Sequence, residues 1–252
     1  MKGLAGRNVV VTGAASGIGR AIARRLAEEG CGVAILDLSD DAGEAVAGGI
    51  RQAGGRAYAY CVDIVDYAAV AGAIAEFEAT AGPLHGLVNN AGWDEARRFV
   101  DTDATFWKKV VDINLYGPLN VTQIVTRRLA ARGAGRVVSI ASDAGRVGSS
   151  GEAVYSAAKG GVIALMKTLA REHARDGLTF NTVCPGPTDT PLLAAFDPAG
   201  SGRLVQALAR AIPLGRLGQP EDYPGLVAFL LSDDAAFITG QTISVSGGLS
   251  MS

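Results

Sequence analysis

Histidine and cysteine are scarce, with two of the first and three of the second in 252 residues. His85 and His173 are too few and too far apart for a metal centre or a histidine-centred triad, so no metal is expected. Cys31, Cys61 and Cys184 are odd in number, widely spaced and set among apolar neighbours, which reads as three small core residues and not as a disulfide or metal framework. Also missing is any apolar run near the roughly 20 residues needed to cross a bilayer. The opening MKGLAGRNVVVTG has no signal-peptide layout, so no membrane association and a cytoplasmic location are expected. Charge of one sign is never concentrated: 23 basic and 25 acidic residues give a net charge of -2. That balance gives no reason to expect nucleic acid as a partner. No repeat, low-complexity tract or Pro/Ser-rich linker divides the chain, and its 34 glycines are dispersed.

What is present is a chain with 48% hydrophobic residues, long enough for one large core, so 1–252 is expected to be a single domain. Short β-branched apolar runs recur: RNVVVTG, GVAILD, AYAYCVD, LHGLVNNAG, GRVVSIAS, LTFNTVCPG and QTISVSGG. Between them, residues 16–29, 40–53, 67–80, 102–131, 153–175, 201–211 and 220–231 carry helical spacing or helix-forming composition. Continuous apolar strands alternating with helices predict an α/β fold with a parallel sheet covered on both faces. The least regular stretch, 186–213, holds Pro187, Pro191, Pro198 and Pro213. Beside a rigid sheet it reads as a substrate lid, or more simply as a long surface loop.

Three features carry chemistry. YSAAK places Tyr155 and Lys159 four residues apart on a helix, hence on one face. A free phenol titrates near ~10, and a neighbouring ammonium lowers that value, which would make Tyr155 a general acid or base for a secondary alcohol. Tyr and Lys at this spacing also occur on ordinary amphipathic helices. After the first strand, TGAASGIG puts Gly13, Gly17 and Gly19 where a strand turns into a helix, a setting that suits a pyrophosphate. At the end of the second strand stands Asp37, where a carboxylate accepts hydrogen bonds from an adenosine ribose diol and repels a 2′-phosphate. No Arg occupies positions 14–16, so NAD is expected over NADP. A helix-capping role for Asp37 is the plainer alternative. Asp63, closing the third strand, would meet the adenine edge or simply hold a turn.

Together with NNAG at 89–92, Asn114, Ser142 and PGPTDT at 185–190, these motifs resemble the short-chain dehydrogenase/reductase family in order and along nearly the whole chain. The resemblance implies a Rossmann-type doubly wound sheet of about seven parallel strands with helices on both faces. It implies Tyr155 as catalytic acid/base, Ser142 as partner of the substrate oxygen, and Lys159 as the group that lowers the Tyr155 pKa and binds the nicotinamide ribose. Asn114 would anchor a proton path to Lys159. For the cofactor it implies Gly13, Ser16, Gly17, Ile18 and Gly19 at the first turn and Asp37 and Leu38 after the second strand. Asp63, Ile64, Asn90, Ala91 and Gly92 follow, with Asn90 and Gly92 against the adenosine ribose. Pro185, Gly186, Thr188 and Thr190 complete the cleft, the two threonines orienting the carboxamide. Ser139 and Ser156 read as structural. The closing GQTISVSGG is similar to a family strand commonly found at a tetramer interface, so a homotetramer is expected.

Three stretches, NNAGWD, SDAGRVGSSGEAVYSAAKGG and CPGPTDTPLL, are similar to a subgroup of that family that oxidises alicyclic hydroxyacyl-CoA thioesters with NAD. On that resemblance the substrate is a CoA thioester, with Trp93 as an apolar wall and Arg97, Arg98, Arg146 and Arg203 as candidates for the phosphates. Asp143, directly after Ser142, has no assigned effect. A 3-oxoacyl-carrier-protein reductase is the alternative, disfavoured by Asp37. A non-catalytic nucleotide-binding scaffold is the second, disfavoured by an intact Ser142, Tyr155 and Lys159.

Overall fold

The β-branched runs become strands in a computed structural model that describes residues 1–196 and 202–251. Seven strands form one parallel sheet in the order β3-β2-β1-β4-β5-β6-β7. They are β1 (Asn8–Thr12), β2 (Gly32–Asp37), β3 (Arg56–Cys61), β4 (Leu84–Asn89), β5 (Gly135–Ile140), β6 (Leu178–Pro185) and β7 (Thr242–Val245). The helices are α1 (Gly17–Glu28), α2 (Asp40–Gln52), α3 (Tyr67–Ala81), α4 (Ala104–Val111), α5 (Gly117–Arg132), α6 (Ala144–Val147), α7 (Ala153–Glu172), α8 (Pro191–Ala194), α9 (Arg203–Ala211) and α10 (Pro224–Leu231). No described helix is long and apolar enough to cross a membrane.

Side chains alternate across a strand, so each central strand feeds two cores. Val9 and Val11 of β1 pack with Ile22 and Leu26 of α1, Val46 of α2 and Val227 of α10. Val10 packs on the opposite face with Phe77 of α3, Val121 and Leu129 of α5 and Met166 of α7. Each such fully buried side chain contributes about 1.5–3 kcal/mol of transfer free energy. Strand order reverses between β1 and its neighbours β2 and β4, and a crevice opens beyond the strands' carboxyl ends there.

Two expectations change. Residues 102–131 do not form one helix: α4 ends at Val111, a π-helical turn spans Asp112–Tyr116, and α5 begins at Gly117. Pro118, in the first turn of α5, has no N–H to continue the ladder back to residue 114, so the helix widens there. Cys61 is exposed, because β3 lies at the sheet edge, whereas Cys31 and Cys184 are buried as expected. The helix expected from 201 is found from Arg203; Ser201 and Pro198 lie outside the described residues.

Candidate active site

A cleft of about 1130 Å³ runs along the carboxyl ends of the strands. Its first wall is the turn after β1. Gly17 has φ +50°, a left-handed backbone that disfavours any side chain, and it opens α1 toward the cleft. The exposed amides and the helix dipole there suit an anion, and the first turn of α1 carries no acidic residue. Gly13 also needs its missing Cβ, which would stand 2.7 Å from the Ala91 backbone. The loop after β4 is pinned to this turn: Asn90 Nδ2 donates to Thr12 O (3.1 Å) and Gly13 O (3.0 Å), and the Asn90 and Ala91 amides donate to Thr12 Oγ1.

Asp37 Oδ2 accepts from the Ala15 amide at 2.9 Å and Oδ1 from the Ser39 amide at 3.2 Å. These bonds aim the carboxylate into the cleft and leave further lone pairs for a diol. Asp63 accepts from the Val65 amide at 2.9 Å, so it holds its turn while lining the cleft. No Lys or Arg lines the cleft near Asp37, Leu38, Asp63 and Ile64 among the described residues.

At the other end, Ser142, Tyr155 and Lys159 converge. Ser142 follows β5, and its hydroxyl accepts from the Ala144 amide at 3.1 Å while standing near enough to the Tyr155 phenol to favour its ionised form. This approach is possible because α6 packs directly on α7: a Cβ at Gly145 would lie 2.8 Å from Gly160 N and from the Lys159 carbonyl carbon. Lys159 Nζ donates to Ile140 O at 3.2 Å and lies 5.4 Å from the Tyr155 ring centre. Burial dominates the electrostatics. It drives the Tyr155 phenol above its ordinary value, with the nearby carboxylates of Glu152 and Asp94 adding to the effect and the Ser142 hydroxyl opposing it. This corrects the expected direction: in the cleft without ligand, desolvation outweighs Lys159. Burial also pulls the Lys159 ammonium down to about 8.

All the expected site residues line this cleft except two. Gly19 lies beneath the first turn, where a Cβ would run into Gly13 O and Asn90 Nδ2. Asn114, fully buried in the π-helical turn, donates to Val110 O (2.9 Å) and Trp93 O (2.6 Å) and accepts from the Trp93 amide (3.2 Å). A Cβ at Gly92 would lie 3.0 Å from Asn114 Oδ1 and 3.3 Å from Lys159 Nζ, so Gly92 alone separates the two. Thr188 and Thr190 line the cleft, but their hydroxyls are engaged within the protein: Thr188 donates to Gly186 O and meets Tyr223 Oη, and Thr190 accepts from the Leu193 amide to cap α8.

Asp143 is held by Ser244 of β7, whose hydroxyl also accepts from Arg146. Arg97 pairs with Glu95 and lies over the Phe106 ring. None of Arg97, Arg98, Arg146 and Arg203 lines the cleft itself; the place expected for them is on or near its mouth. Two charged cleft residues were not singled out by the sequence motifs. Glu152 stands three residues before Tyr155, a helical spacing that signals proximity. Lys109, whose Nζ lies 3.5 Å from the Trp93 ring centre, gave no signal, since only the fold carries α4 to the cleft. Among the described residues no group of His, Cys, Asp and Glu is arranged for a metal ion.

A crevice at the strand-order reversal, a glycine-rich turn leading into α1 and a Ser–Tyr–Lys cluster define a nicotinamide-dependent oxidoreductase, and the chain belongs to the short-chain dehydrogenase/reductase family. A family profile described as enoyl-(acyl carrier protein) reductase matches residues 13–250. Among relatives, the chain is similar to the cis-4-hydroxycyclohexanecarboxylate dehydrogenase of Sinomonas cyclohexanicum, 40% identical over 243 residues covering 96% of each chain. It is also similar to the 3-oxoacyl-(acyl-carrier-protein) reductase of Staphylococcus aureus, 39% identical over 246 residues, 97% of this chain and 98% of the other. A crystal structure of a single-substitution variant of actinorhodin polyketide ketoreductase with NADPH superposes with a TM-score of 0.93 at 34% identity, covering 99% of each chain.

Proposed function

We propose that the protein is an NAD-dependent dehydrogenase that interconverts a secondary alcohol and a ketone. Its proposed substrate is a 3-hydroxyacyl-CoA of alicyclic type, such as 2-hydroxycycloalkanecarboxyl-CoA, with the β-ketoacyl-CoA as product. The observation that carries this reading is the meeting of Ser142, Tyr155 and Lys159 at one end of a cleft whose other end presents Asp37 and Asp63. Two carboxylates without a cation disfavour a 2′-phosphate, which supports NAD. Trp93 offers an apolar wall beside the cluster, and a relative named for a cyclohexane hydroxy acid supports a ring substrate.

In oxidation, the Ser142 hydroxyl donates to the substrate oxygen and the Tyr155 phenolate takes the alcohol proton. When bound, the oxidised nicotinamide supplies a hydride acceptor and a positive charge near the phenol. Lys159 holds a positive charge 5.4 Å from the Tyr155 ring centre, and both charges would work against the burial that favours the neutral phenol. Asn114 fixes the Trp93 backbone and faces Lys159 across Gly92, where it would anchor a path for the proton. The described part of 186–213 adds Leu193, Phe196, Leu204 and Leu208 to the cleft, which suits a substrate lid. A homotetramer in the cytoplasm is part of this reading, supported by the half-exposed edge strand β7.

The test is turnover of a panel of hydroxyacyl-CoA thioesters and the matching free acids with NAD and with NADP. NADH formation from alicyclic thioesters is expected, falling roughly 10²–10⁴-fold in Tyr155→Phe. Preferred NADPH-linked reduction of acetoacetyl thioesters would establish the carrier-protein reductase reading instead, which the S. aureus relative favours.

A further inference from the structure

The loop after β4 buries a carboxyl group that the chemistry above does not use. Asp94 is 3% exposed, and its Oδ2 has no hydrogen-bond donor. Its side chain faces that of Glu152, at the entry to α7, which makes no capping bond with its own helix. The two segments are clamped together by the Arg97 amide, which donates to Gly151 O at 2.9 Å. Asp94, Glu152 and Tyr155 wall one small cavity that Phe99, Thr102 and Phe106 close on the apolar side. Glu152 reaches from there into the main cleft.

The charged groups nearest Asp94 are otherwise engaged, Lys109 of α4 lying over the Trp93 ring, 3.5 Å from its centre. Glu95 is paired with Arg97, and Arg97 is spread over Phe106. Lys159, on α7, is close enough to feel Asp94 but donates to Ile140 O. No cation therefore sits on the Asp94–Glu152 pair among the described residues. Ionised carboxylates accept hydrogen bonds and cannot donate them. With Asp94 buried and Glu152 half-buried, two of them facing each other would leave lone pairs of Asp94 unmet and like charges in contact, each costly. One proton between them removes both penalties.

We propose that Asp94 and Glu152 share a single proton and act as positioning residues for Tyr155, setting through their joint charge the pH at which the phenol ionises. The proposal rests on the acid/base reading of Tyr155. Burial pushes the Asp94 carboxyl up to about 7, with Glu152 and Glu95 raising it further and the Glu95 amide hydrogen bond opposing. As for any close carboxyl pair, the protons leave in two steps that belong to the pair. The second loss places another negative charge beside Tyr155 and drives phenolate formation to higher pH.

Infrared difference spectra of the cofactor-free full chain at roughly pH 6 test the shared proton directly, wild type against Asp94→Asn and Glu152→Gln. A protonated-carboxyl C=O band present in wild type, lost in Asp94→Asn and moved in frequency in Glu152→Gln is expected. In the oxidation assay, both variants should shift the rising limb of the pH profile to lower pH by about one unit, since each removes a negative charge near the phenol. Absence of the acid band overturns the proposal, and so does a band accompanied by unshifted limbs in both variants. If Tyr155→Phe keeps full activity, the acid/base reading is what fails, while the infrared band still reports on the pair.

Discussion

Lys159 is 3% exposed, and its ammonium has one backbone carbonyl, that of Ile140, as its recorded hydrogen-bond partner. Its pKa in the fold, about 8, lies below the ordinary 10.5. Between those values the unfolded chain binds more protons, so this residue makes stability rise with pH through that window. At neutral pH it is charged in both states, and the fold carries the whole desolvation cost. Lys159→Met should therefore raise the melting temperature of the cofactor-free protein at pH 7 by a few degrees, with the gain shrinking from about pH 8 upward and nearly gone above roughly pH 10, while abolishing oxidation. Thermal melts across pH check this, and a variant melting below wild type at pH 7 would contradict it. The pairing of Tyr155 with Lys159 was legible from four-residue spacing on a helix. The direction of the Tyr155 shift was not, because it is set first by the burial of the phenol, which only the packed fold creates.

Elements set the distances on which that chemistry depends. The contact between α6 and α7 allows no methyl group at Gly145, and the atoms in the way are backbone. Gly145→Ala should push the Ser142 segment off α7, lowering kcat by about 10²-fold and stability by about 1–3 kcal/mol. Steady-state kinetics and denaturant melts of one preparation measure both, and a kcat unchanged in a stable variant would show that the α6–α7 contact does not govern the Ser142 position. The strands were legible because continuous β-branched runs are what a doubly covered sheet requires. The break in 102–131 was hidden, because helical periodicity continues through Leu115 and Leu119, and a proline near a helix start ordinarily signals nothing. Asn114 therefore read as a motif residue without its geometric reason: the π-helical turn swings it under the loop that carries Trp93.

For the whole molecule, the exposed side of β7 and the fully exposed ring of Phe237 lie at the same end of the chain. Unpaired strand edges and large exposed apolar groups invite a second copy. Light scattering on the purified protein should give four times 25.7 kDa, and a mass of one chain at micromolar concentration would remove the tetramer. A parallel sheet covered on both faces was legible at this scale from strand–helix alternation, and its seven strands from the family resemblance, but not the strand order. The shape of the substrate end was not, since Lys109, Glu152 and Phe196 arrive from three separate segments. One connection bridges the last three strands of the sheet, from β7 past β6 to the loop after β5. Ser244, on the outermost strand, grips the acid adjoining Ser142, so trimming the last dozen residues would strike at turnover and not merely at solubility.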